Sequence, residues 1–146
     1  MENKTTLGCV KQLFITTQHS RLSKINIEVD KNGIIEDKYY DKNINRSILL
    51  SSTKAYDLIK SKDISVDFGA LNENIIVDFD PYNLELGANI LIEDAILQIT
   101  AHCTLCNSLK KIDDTAPELL KNDRGVFAKV IKRGTISLNS PIYRHN

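Results

Sequence analysis

The sequence lacks a net charge: 19 Lys and Arg balance 19 Asp and Glu. No overall field therefore draws the chain to nucleic acid or to an anionic membrane surface. It also lacks long apolar runs. The start "MENKTTLGCVKQ" is polar, with no apolar core of signal-peptide length, and nothing reaches the roughly 18 apolar residues of a membrane span. The expectation is a soluble, cytoplasmic protein. Cysteine is scarce and odd in number, with Cys9, Cys103 and Cys106 only. In a reducing compartment that argues against a structural disulfide framework, so a thiol that matters should matter as a thiol. No internal repeat, low-complexity tract or flexible linker interrupts the chain. One domain over residues 1–146 is the resulting reading, and 42% hydrophobic content at this length suffices for a core without covalent or metal staples.

What is present is a series of short strands. "GCVKQLFITTQ" and "INIEV" alternate apolar with polar residues, and "KNGII" supplies a turn after the second, the start of a meander. "RSILLSS" is a short apolar run. Its serines lead into "KAYDLIKSK", where Ser52 or Thr53 can cap a helix that places Ala55, Leu58 and Ile59 on one face. "ENIIVDF" follows, then "NLELGANILIEDAILQIT", with turns at Gly87 and at "EDA". A second helical piece is expected in "APELLKNDR" with Pro117 near its start, and then two strands joined around "KRG" in "GVFAKVIKRGTISLNSPIY". Short strands at regular spacing with one or two helices predict a mainly β protein, a closed or nearly closed barrel.

The densest chemistry is "HCTLCNSL", His102–Leu109. Zinc asks for four nitrogen or sulfur ligands, and a Cys-x-x-Cys pair normally supplies half of such a set. No second pair exists, so a zinc or thiol structural module requires Cys9, His19, His102 or His145 to meet the pair in space. Thioredoxin-like chemistry needs a βαβ setting that this pattern does not offer. Cys9, alone in a strand, reads as a small core hydrophobe. Cys106 falls at a strand end beside Asn107, Ser108, Lys110 and Lys111, where positive charge stabilises a thiolate.

Several segments, read in order, resemble the MOSC domain, named for the carboxy-terminal domain of molybdenum cofactor sulfurase. "FGALNENIIVD" is similar to that family's Gly-Ala-x-Gly-Glu-Asn stretch and "LELGANILIEDAILQIT" to its strand pair entered through a glycine. "CTLCNSL" is similar to the segment holding its cysteine, and "DRGVFAKVIKRGTISLNSPI" to its closing strands. Upstream, "NGIIEDKYYDKNINRSILLSS" resembles its acidic and basic segment with an arginine-led strand. The match runs from about residue 33 to residue 142. It departs at Glu36, where the family reads glycine before the Asp, and at Asn72, where the family commonly has glycine. Asparagine tolerates a left-handed backbone better than most residues.

The resemblance implies a MOSC-type β-barrel with a few short helices that binds the molybdenum cofactor, molybdopterin, in a cleft. It implies Cys106 as sulfur carrier or molybdenum ligand, with Cys103 an extra thiol. Glu73 and Asn74 match the family's Glu-Asn pair and Arg46 its strand-leading arginine. A dianionic pterin phosphate suits a guanidinium fork, lysine and backbone donors, which adds Lys38 and Arg124 with Gly125 to the expected contacts. Two chemistries follow from the resemblance. One is sulfur relay to the cofactor, with a cysteine desulfurase as partner and a molybdoenzyme as recipient. The other is molybdenum-dependent reduction of N-hydroxylated compounds with a separate electron-donor reductase. Pyridoxal phosphate enters only through the desulfurase, since 146 residues leave no room for its domain.

Overall fold

The structure, a computed structural model, describes residues 5–103 and 125–145. Its strands are Thr5–Thr16 (β1), Arg21–Lys24 (β2), Asn26–Asp30 (β3), Gly33–Ile34 (β4), Ile48–Ser52 (β5), Ile75–Val77 (β6), Asn89–Ile92 (β7), Ala95–His102 (β8), Val126–Lys132 (β9), Gly134–Ser137 (β10) and Pro141–His145 (β11). One helix, Thr53–Lys60 (α1), lies between β5 and β6. The order β11-β7-β8-β9-β5-β6-β1 closes through a β11–β1 pairing, giving a seven-stranded barrel. Its pairs are antiparallel except β5 with β6, where α1 and the segment after it bring the chain back to run parallel.

Alternation builds the interior. Ala95, Leu97 and Ile99 of β8, Ile90 and Ile92 of β7, and Val126, Ala128 and Val130 of β9 are buried in one core cluster. The long β1 serves several partners: Thr5–Cys9 pair with β11, Val10–Leu13 with β6, and Leu13–Thr16 with β2. Register shifts between Thr6 and Gly8 and between Val10 and Gln12 bend it around the barrel.

The expected meander stops after β2. Instead β3 and β4 join β10 in a separate three-stranded sheet. Ile27, Val29, Ile34 and Ile136 of that sheet belong to the barrel's core cluster. The two strands on either side of "KRG" therefore do not pair with each other: β9 stays in the barrel between β8 and β5, while β10 pairs with β3. Helix α1 begins as the sequence predicts, with Ser52 as the cap, its hydroxyl accepting from the Ala55 N–H at 3.4 Å. Ala55, Tyr56 and Ile59 are buried against Phe14, Leu71 and Ile76, a second cluster outside the barrel. Ser52→Ala leaves that N–H without its acceptor and is expected to lower unfolding free energy by about 1 kcal/mol, read by denaturant titration. The helix expected in "APELLKNDR" lies outside the described residues. No helix among the described residues is long and apolar enough to cross a membrane.

Candidate functional site

The outward face of β5 and β9 floors a cleft of about 590 Å³. Leu49 and Phe127 are register partners on these two strands, and both line it. Their inward neighbours Ile48, Leu50, Val126 and Ala128 fill the barrel, so the strand period that makes the core also turns an apolar surface to the cleft. Asn74 ties the floor together. Its Oδ1 accepts from the Leu49 N–H at 2.9 Å and its Nδ2 donates to the Phe14 carbonyl at 3.3 Å.

The wall is the segment between β4 and β5. Asp37, buried, clasps it: Oδ1 accepts from the Thr16 N–H at 2.6 Å and Oδ2 from the Tyr39 N–H at 3.0 Å. The Lys38 N–H donates to the Thr16 carbonyl at 2.8 Å. This clasp turns Lys38, Lys42 and Arg46 toward the cleft, with Arg46 over the Phe127 ring at 5.0 Å from its centroid. Glu36, where the family has glycine, is exposed, pairs with Lys24 at 2.9 Å, and is not among the residues with positive φ. Its side chain is accommodated without strain. Asn72, where the resembled family commonly has glycine, takes φ 64, a left-handed conformation that asparagine tolerates.

Arg21 lines the same cleft from β2. Among the described residues the lining therefore holds four cations, Arg21, Lys38, Lys42 and Arg46, against one carboxylate, Asp37, already engaged by two backbone donors. A chain with no net charge thus concentrates positive charge in one place. Cys103, buried, lines the cleft as well, and its N–H donates to the Gly125 carbonyl at 3.0 Å.

Of the residues singled out in the sequence, Lys38, Arg46 and Asn74 converge here. Glu73 lies away from the cleft, fully buried: Oε2 accepts from the Tyr56 hydroxyl at 2.7 Å and from Ser51 Oγ at 3.0 Å. Gly125 accepts from the Cys103 N–H through its carbonyl and packs closely against the Leu50 carbonyl of β5. Cys106 and Arg124 lie outside the described residues. Arg21 and Lys42 were not singled out: Arg21 lies outside the segments that carry the resemblance, and Lys42 lies within "NGIIEDKYYDKNINRSILLSS" without matching a family residue, so only the fold brings them to one cavity. His102 stacks on Tyr82 with ring centroids 4.0 Å apart. Cys9 is half-buried in β1.

Burial pushes the Glu73 carboxyl up from its ordinary 4.5, against the pull of the Tyr56 and Ser51 hydroxyls and the Arg21 charge. Burial, then Glu73, pushes the Tyr56 phenol well up too, which keeps it a donor. The folded state therefore holds the Glu73 proton more tightly than the unfolded chain. This group's contribution to stability is full below 4.5 and declines as pH rises through the interval up to its raised value. Glu73→Gln is expected to abolish that decline. Denaturation at a series of pH values should show wild type losing ground to the variant above 4.5 and then levelling; a constant difference would show that Glu73 does not titrate there.

The closed barrel with its short helix is consistent with the MOSC-type architecture. No family model matches this sequence, and no curated protein does. Solved structures do match. The YuaD protein from Bacillus subtilis aligns over 100% of both chains at TM-score 0.84 with 15% identity. YiiM from Geobacillus stearothermophilus aligns over 99% of this chain and 76% of its own at TM-score 0.67 with 13% identity. YiiM from Escherichia coli aligns over 94% and 70% at TM-score 0.66 with 15% identity. At such identities the likeness is one of fold.

Proposed function

We propose that the cleft binds the molybdenum cofactor, with Cys106 acting as sulfur carrier or metal ligand. The observation that carries this reading is the gathering of Arg21, Lys38, Lys42 and Arg46 around an apolar floor in a protein with no net charge. A flat pterin fits Leu49 and Phe127, and its phosphate fits guanidinium and ammonium donors. The group therefore suits the residues present. Arg46, Lys38 and Lys42 would hold the phosphate, Arg21 would add a fixed charge, and Asn74 would keep the floor in register. When bound, the cofactor supplies oxygen-atom and two-electron chemistry.

As sulfur carrier, Cys106 acts as a thiolate that attacks the outer sulfur of a desulfurase persulfide. It takes that sulfur and releases the desulfurase cysteine as thiolate. Pyridoxal phosphate stays with the desulfurase, and a molybdoenzyme is the recipient.

Protein purified from a cell that makes the cofactor is expected to carry molybdenum and pterin in equimolar amount with the chain. Incubation with a cysteine desulfurase is expected to place a persulfide that Cys106→Ser abolishes and Cys9→Ser does not. Absence of both molybdenum and pterin from such protein overturns the binding reading. Reduction of a hydroxylamine by the loaded protein with reduced viologen assigns the reductase role in place of the carrier role.

A further inference from the structure

We infer that anion binding in the cleft is coupled to proton uptake by the buried Glu73 carboxyl, with Arg21 as the link; this rests on the cleft being the anion site proposed above. Glu73 is fully buried, and its Oε1 has no hydrogen-bond partner. The cation facing it among the described residues is Arg21, whose Nη2 lies 3.8 Å from that oxygen. The other groups turned to the carboxyl are neutral donors on Oε2, Tyr56 from α1 and Ser51 from β5. Asp37, which shares the cleft with Arg21, accepts from the Thr16 backbone N–H at 2.6 Å.

Arg21 is held from several sides. Nη1 donates to Thr16 Oγ1 at 2.9 Å, and Nη2 donates to the Gly69 carbonyl at 3.4 Å and to the Glu73 carbonyl. The Phe14 ring lies 5.4 Å from the guanidinium carbon. A guanidinium has five N–H donors and does not lose its proton in proteins. It therefore stays charged and stays in place when an anion enters the cleft it lines. What changes is its field. An anion beside Arg21 offsets the positive charge that Glu73 depends on, and a buried carboxylate deprived of its counter-charge takes up a proton. The proton comes from solvent and settles on Oε1, the oxygen that accepts no hydrogen bond. The bound state thus holds more protons than the free state, so anion affinity rises as pH falls through the window in which Glu73 titrates.

Sulfate, which does not itself titrate near neutrality, is the probe. Calorimetry in buffers of different ionisation enthalpy is expected to show net proton uptake on sulfate binding. The dissociation constant is expected to rise with pH, approaching about tenfold per pH unit where uptake is complete. Glu73→Gln is expected to bind sulfate with no uptake and a flat pH profile. Should that variant fail to fold, infrared difference spectra of the wild type on adding sulfate are expected to gain a protonated-carboxyl band. That band should shift in Tyr56→Phe, which removes the donor on Oε2. Sulfate bound without uptake, uptake that persists in Glu73→Gln, or a band indifferent to Tyr56→Phe overturns the coupling and leaves the anion cleft standing. No sulfate binding at all overturns the cleft reading and the coupling with it.

Discussion

Gly125→Ala is expected to be the most damaging single methyl in the described chain. Gly125 has φ +106, where side chains are rarely tolerated, and a Cβ there would lie 2.2 Å from the Leu50 carbonyl oxygen. The obstacle is β5 backbone, not the end of a flexible side chain, and it sits where β9 enters the barrel beside the Leu50–Val126 pair. Relief requires the two strands to part, which opens the core at Leu50 and Val126, both fully buried. Left-handed strain alone costs about 1–2 kcal/mol. Clash and lost packing add to it, and a domain of this size has only about 5–15 kcal/mol in all. The expected result is a loss of at least about 3 kcal/mol, or failure to accumulate as soluble protein. Gly87→Ala is the control. Gly87 has φ +92, but a Cβ there meets nothing within 4 Å, so its cost should stay near the strain term. Equal midpoints for the two variants in chemical denaturation would show that the Leu50 contact is not what matters.

Reversing the charge at both Lys38 and Arg46 is expected to give the largest change in ligand affinity. These side chains come from the clasped wall, and neither sits in the barrel core. Stability should therefore change little while binding falls. A charge-assisted hydrogen bond contributes about 1.5–3 kcal/mol, so Lys38→Glu with Arg46→Glu should weaken binding of a phosphorylated pterin on the order of a hundredfold to ten-thousandfold. Molybdenum and pterin measured in the variant, purified as the wild type is, should fall to trace levels with an unchanged melting temperature. Retention of both would remove the cationic wall from the proposed function.

Much of the fold was legible because strand alternation and turn chemistry are local. The runs that became β5, β7, β8 and β9, the capped start of α1, and the two-residue turn at Glu93 and Asp94 are each written in consecutive residues. Sheet membership was not. Nothing local to "VIKRGTISL" says that β9 and β10 part company, because that depends on Ile136 finding its place in the core beside β3. The site divides in the same way. Lys38, Arg46 and Asn74 were readable as members of one resemblance spread along the chain. Arg21 and Lys42 were not, and Cys103 read only as an extra thiol, since each joins the cavity by folding alone.

The sequence by itself determined that this is a mainly β protein with no overall charge, few thiols and a helix capped after "RSILLSS", since composition, periodicity and caps act over a turn or a strand at a time. Only the tertiary structure decided that four cations share one cleft and that Glu73 is buried away from it, paired with Arg21. Which charges meet, and which lose their water, depends on strands distant in sequence closing into a barrel.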